Sequence, residues 1–185
     1  MAEQAGKMEL ISTPAKVANR YIRQKWKLKW NTAFEETLGG FVPNYVLAQT
    51  IAHAGEFQRA QMPVLEEEDI SGLRHMLSRA GHHIPIKTEW MNVGHLVPTQ
   101  KQIYVDKTMD YIVDNGVLST IDSYSNGHIF ISKDDDIIDG HHRWLSAMFI
   151  GPQIKVKVAK IGENEKAALK DALKWSDEHH RLRNA

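Results

Sequence analysis

Between Ile137 and Trp144 the chain reads IIDGHHRW, and this segment constrains the fold more than any other. Two β-branched apolar residues suit the end of a buried strand, an acid and a glycine suit a tight turn, and the residues from His141 onward have helical spacing. The expectation is a strand ending at Ile138, a turn at Asp139-Gly140, and a helix starting within two residues of His141. A helix that begins at once after a strand leaves its first backbone N–H groups without partners, and its dipole adds partial positive charge there. Such a corner receives anions, phosphate above all.

The side chains around the corner fit that chemistry. Arg143 offers a planar fork of donors for a bidentate phosphate contact. His141 and His142 can donate hydrogen bonds or move a proton near neutral pH. Asp139 is the acid of the corner itself, so it is the candidate base and the candidate ligand for Mg²⁺. A plainer reading of the same residues stands beside this one. In it Gly140 only turns the chain, Arg143 pairs with Asp139, and the histidines are solvated residues at a helix start.

The flanking sequence supplies the rest of a small α+β unit. IPIKTEWMNVGHLVP, from Ile84, reads as a strand entering a turn, and KQIYVDKTMDYIVDNG as a helix closed by Gly116. VLSTIDSY and HIFIS are two short strand candidates around the Asn126-Gly127 turn signal. HHRWLSAMFIG reads as a short helix with Leu145, Met148 and Phe149 inward, stopped by Gly151 and Pro152. IKVKVAKI alternates with period two and is the clearest strand in the chain. A polar helix from Asn164 to Arg181 follows, with Leu169, Ala172 and Leu173 buried. The expected division is a helical N-terminal region, residues 1–85, and a phosphate-binding domain, residues 86–185, built on a small mixed sheet.

Within the N-terminal region, Ala18, Ile22, Trp26, Trp30, Phe34 and Leu38 recur at four-residue steps after Pro14, so the apolar stripe winds around the helix. Gly39-Gly40 ends it, and a second helix follows Pro43. A third runs from Asp69 to Arg79 with Ile70, Leu73 and Leu77 inward. RQKWKLKW, Arg23 to Trp30, interleaves basic and aromatic residues, which reads either as a contact with nucleic acid or as an amphipathic helix with packed tryptophans. The spacing of Trp26 and Trp30 favours the packed helix.

The chain has 23 basic and 23 acidic side chains, so no global field draws it to nucleic acid or to a membrane. It has no cysteine, which removes disulfides, thiolate metal sites and a cysteine nucleophile. No apolar run approaches the roughly 20 residues that span a bilayer, and the first residues lack the apolar core of a signal peptide, so a cytoplasmic protein is expected. Three His-His pairs occur, at 82–83, 141–142 and 179–180. Adjacent helical residues point about 100° apart, so such a pair seldom gives one metal two ligands. The acidic runs Glu66 to Asp69 and Asp134 to Asp136 read as solvated turns and helix starts.

Three stretches together, VGHLVPTQKQI (Val93 to Ile103), DIIDGHHRWLSAMFIG (Asp136 to Gly151) and IKVKVAKI (Ile154 to Ile161), resemble the ParB/sulfiredoxin superfamily. The resemblance covers about 70 residues, roughly 90–161. It implies a ParB/sulfiredoxin-like α+β fold in which Pro98 and Gln100 line the site and Gly140, His141, His142 and Arg143 hold phosphates. Sulfiredoxins carry a cysteine where this chain has His141, so sulfiredoxin chemistry is excluded. Partitioning ParB proteins have a Gly-Glu-Arg-Arg corner that binds CTP and a following helix-turn-helix, for which the residues after Gly151 leave no room. The Asp-Gly-His-His-Arg form is most similar to the branch with nucleotide-dependent serine kinases and ParB-like nucleases. Those kinases use a glutamate base in the loop after the first strand, and the matching position here is Gln100. Glu89 lies a strand-length upstream.

The resemblance implies ATP, ADP or CTP as ligand, with Mg²⁺, for phosphoryl transfer or phosphodiester hydrolysis in which Asp139, His141 and His142 act. The alternatives are a nucleotide- or nucleic-acid-binding module without turnover, and an interaction protein whose helical N-terminal region meets a protein partner.

Overall fold

A computed structural model describes residues 55–79, 83–101, 103–150 and 154–179. The expected helices after Pro14 and Pro43, the basic segment Arg23 to Trp30, and the Gly151-Pro152 stop lie outside the described residues. The described chain is a mixed α/β structure around one four-stranded sheet. Helix α1 (Asp69–Arg79) is followed by strand β1 (Ile86–Asn92), helix α2 (Val105–Asn115) and helix α3 (Val117–Ser123). Strands β2 (Ile129–Ile131) and β3 (Ile137–Asp139), helix α4 (His141–Ile150), strand β4 (Lys155–Ile161) and helix α5 (Glu165–Glu178) complete it.

The strand order is β1-β4-β2-β3. β1 runs antiparallel to β4, β4 parallel to β2, and β2 antiparallel to β3. The period-two alternation of side chains then divides the core between the two faces. Ile129, Ile131, Ile137, Val156 and Val158 join Trp144, Leu145, Phe149 and Ile112 in one apolar cluster, against α2 and α4. Phe130, Ile138, Ala159 and Ile161 join Leu73, Leu77, Ala168, Leu169 and Ala172 in the other, against α1 and α5. Leu73 and Leu77 of α1 therefore pack into the same core as the sheet. Among the described residues no helix is long and apolar enough to cross a membrane.

Most elements fall where the periodicity places them, but VLSTIDSY does not form a strand. It is α3, continued by a single 3₁₀ turn from Tyr124 to Asn126. Gly116, with φ of 80°, ends α2 and allows a new helix to start at the next residue. The Thr120 hydroxyl donates to the Gly116 carbonyl at 2.6 Å, and Tyr124 is buried one turn later. Asn126-Gly127 accordingly leads from a helical turn into β2 and is not a hairpin turn. The buried face of α4 also differs, since Trp144 is enclosed while Met148 is only partly buried.

Candidate functional site

β3 ends at Asp139, Gly140 turns the chain, and α4 begins at His141, as the IIDGHHRW pattern requires. Gly140 has φ of 106°, and a Cβ there would lie 3.2 Å from the Ile129 Cα, so glycine satisfies both the backbone and the close approach. Its carbonyl accepts from the Trp144 amide at 3.0 Å and so opens the helical ladder. The Asp139 carboxylate closes the turn, with Oδ1 accepting from the Gly140 amide at 2.9 Å and Oδ2 from the Leu65 amide at 2.8 Å. Burial pushes Asp139 up to about 6, against those two N–H groups and the charges of Arg59 and Arg143.

His141 is buried beneath the corner. Its Nε2 accepts from the amides of Thr99 at 3.1 Å and Gln100 at 3.0 Å, which fixes the neutral ring with its proton on Nδ1. Burial, with the charges of His142 and Arg59, lowers its pKa to about 3. This nitrogen holds the Pro98-Thr99-Gln100 loop and leaves no lone pair for a substrate. The loop is held from its other side too, because the Phe57 amide donates to the Thr99 carbonyl at 2.8 Å and the Lys101 amide to the Phe57 carbonyl at 2.7 Å. Gln100 is buried.

His142 and Arg143 point elsewhere, into a pocket of about 350 Å³ between α4, α2 and the turn after α3. Lys107, Thr108 and Tyr111 of α2 form one wall, with Tyr124, Asn126 and Ser146 opposite. Arg143 makes no ion pair with Asp139 or with any other described acid, and its Nη1 is buried without a hydrogen-bond partner. Gly127 leaves room for the guanidinium, since a Cβ there would sit 2.8 Å from Nη1. His142 Nε2 is likewise buried and unpartnered. The ring stacks on Tyr104 with centroids 6.2 Å apart, and burial and the Lys107 charge lower its pKa to about 4. Tyr124 shares a buried hydrogen bond of 2.5 Å with Ser146, and burial pushes its phenol above the usual range. No acid lines the pocket among the described residues, and two cations do.

Of the residues the sequence singled out, His142 and Arg143 thus reach the pocket. Asp139, Gly140 and His141 build the corner beneath it, while Pro98 and Gln100 belong to the loop that His141 supports. The sequence does not single out Lys107, Thr108 or Tyr111, and marks Asn126 only as a turn residue. The helical spacing of Tyr104, Thr108 and Tyr111 is the signal that marks this face of α2. No group of three or more His, Cys, Asp or Glu among the described residues could hold a metal ion.

No family model matches the chain, and neither a curated protein nor a solved structure matches it.

Proposed function

We propose that this protein binds a phosphate-bearing ligand, a nucleotide or a nucleic-acid phosphate, in the pocket beside Arg143. The observation that carries the reading is Arg143 Nη1, buried and without a partner among the described residues, at the wall of a pocket whose described lining holds Lys107 and no acid. A buried guanidinium N–H without an acceptor is costly, and an incoming anion relieves that cost. Lys107 adds a second charge, His142, whose buried Nε2 has no partner among the described residues, lines the same pocket, and the start of α4 contributes its dipole. Tyr104 and Tyr111, both about half exposed, offer rings to a base or another flat group near that anion.

Binding without turnover is the reading that this geometry favours. Of the three residues with the chemistry to act on a phosphate, His141 spends its one ring lone pair on backbone N–H groups, and the Asp139 carboxylate is buried in the turn, bonded by the Gly140 and Leu65 amides. A catalytic reading rests on His142, which lines the pocket, is neutral at pH 7 and has an Nε2 without a partner among the described residues. It would accept a proton from a nucleophile during phosphoryl transfer or hydrolysis.

The test is a thermal-shift panel of inorganic phosphate, ATP, ADP, CTP, GTP and a short oligonucleotide, each with and without Mg²⁺. A ligand at 100 times its dissociation constant stabilises the fold by about 2.7 kcal/mol. A shift with at least one of them, without phosphate release, supports binding alone, and release abolished by His142→Ala supports the catalytic reading. No shift with any ligand contradicts the proposal.

A further inference from the structure

Strand β1 is an edge of the sheet, bonded to β4 and to no other strand among the described residues. Two bonds at its ends fix which way its backbone groups point. The Val93 amide donates to the Ile154 carbonyl at 2.8 Å, and the Gly162 amide donates to the Pro85 carbonyl at 2.8 Å. Antiparallel pairing alternates, so the odd-numbered residues between them turn toward β4, while Ile86, Thr88 and Trp90 turn their N–H and C=O groups outward. Arg74 meets this outer edge, with Nη2 3.0 Å from the Ile86 carbonyl. Lys87, Thr88, Glu89 and Trp90 are all exposed, Trp90 by 51%.

Such an edge is a template for another strand, and its own sequence selects one. Two antiparallel copies of β1 bond only where outward residues face outward residues. Centred on Thr88, each Thr88 faces its counterpart, each Ile86 faces a Trp90, and Lys87 faces Glu89 twice across the twofold axis. Moved by one residue in either direction, the register sets Glu89 against Glu89 or Lys87 against Lys87, and like charges directly opposite are destabilising. Glu89 can serve, because among the described residues its ion-pair contact is a long one of 3.9 Å to Lys160. We infer that the protein forms a twofold dimer by pairing the β1 edges of two copies, in the register centred on Thr88.

Sedimentation of the full chain over micromolar to millimolar concentrations tests this. The wild type should dimerise with rising concentration, and this edge is short enough for the complex to be weak. Glu89→Lys and Lys87→Glu should each remain monomeric where the wild type is dimeric, with unchanged circular dichroism. Mixing the two variants should restore a dimer, because each lysine then meets a glutamate, and so should the double exchange within one chain. A wild type that stays monomeric throughout overturns the inference. So does dimerisation of either single variant as strong as the wild type's, or a mixture of the two that stays monomeric. If both variants dimerise normally and Trp90→Ala does not, the register is centred on Trp90 and the one inferred here is wrong.

Discussion

The Nε2 atom of His141 lies 3.0 Å from the Gln100 amide and accepts its proton, together with that of Thr99 at 3.1 Å. One side chain at the start of α4 thereby satisfies two buried donors in a loop about forty residues earlier in the chain. Replacing it by alanine leaves both amides without an acceptor and opens a cavity. His141→Ala should cost about 3–5 kcal/mol in a denaturation experiment. His141→Gln, whose amide oxygen can accept the same two bonds, should recover part of that loss.

The same ring gives a pH dependence of defined sign. The pKa of His141 is lowered in the folded state to about 3, below the ordinary value of 6.5. Its contribution to stability is therefore fully present above pH 6.5 and is lost as the pH falls from there toward 3. Asp139, raised to about 6, and Glu163, raised to about 7, act in the opposite sense over overlapping ranges, so the wild-type curve alone does not isolate the histidine. The difference between wild type and His141→Gln does. Urea midpoints should show the wild type's advantage shrinking by about 2–3 kcal/mol between pH 7 and pH 4.5. An advantage independent of pH would mean that the ring is not held neutral by the Thr99 and Gln100 amides.

Gly140→Ala should destabilise the corner. Its φ of 106° is strained for any residue with a Cβ, and that atom would press on the Ile129 backbone at 3.2 Å. A loss of about 1–3 kcal/mol, read as a lower melting temperature, is expected. Gly127→Ala separates stability from binding. Its φ of 174° is ordinary extended backbone, and the nearest atoms to the added methyl belong to the far end of the Arg143 side chain. The melting temperature should stay close to wild type while affinity for the phosphate ligand drops roughly tenfold, the loss of about one charged hydrogen bond.

How far the sequence reached depended on whether the signal was local. The strand–glycine–helix corner is written in eight consecutive residues, and α4 starts at His141 as they require. Ile129–Ile131 and Lys155–Ile161 were legible for the same reason. α3 is hard to read because Val117, Leu118, Ile121 and Tyr124 have the composition of a strand, although positions 117, 121 and 124 have helical spacing. Arg143 stood out by its place after the glycine, but its surroundings did not. Lys107 and Tyr111 lie on another helix, and only tertiary packing brings them opposite. The sequence offers the two histidines the same chemistry, and their placement separates them. A helix separates neighbouring residues by about 100°, which sends His141 into the core and His142 to the pocket.

The most direct measurement of the central claim is phosphate-ligand affinity and denaturation midpoint on the same Arg143→Ala protein, with Arg143→Lys beside it. Arg143 has no ion-pair partner to strand among the described residues, and its buried Nη1 has no acceptor to lose, so its removal should leave the midpoint no lower than wild type by more than about 0.5 kcal/mol. Affinity should fall a hundredfold or more, as losing a bidentate pair of charged hydrogen bonds implies, and Arg143→Lys should restore only part of it. A drop of several kcal/mol in stability with ligand affinity unchanged would contradict the account, and would make Arg143 a structural residue of the α4 corner.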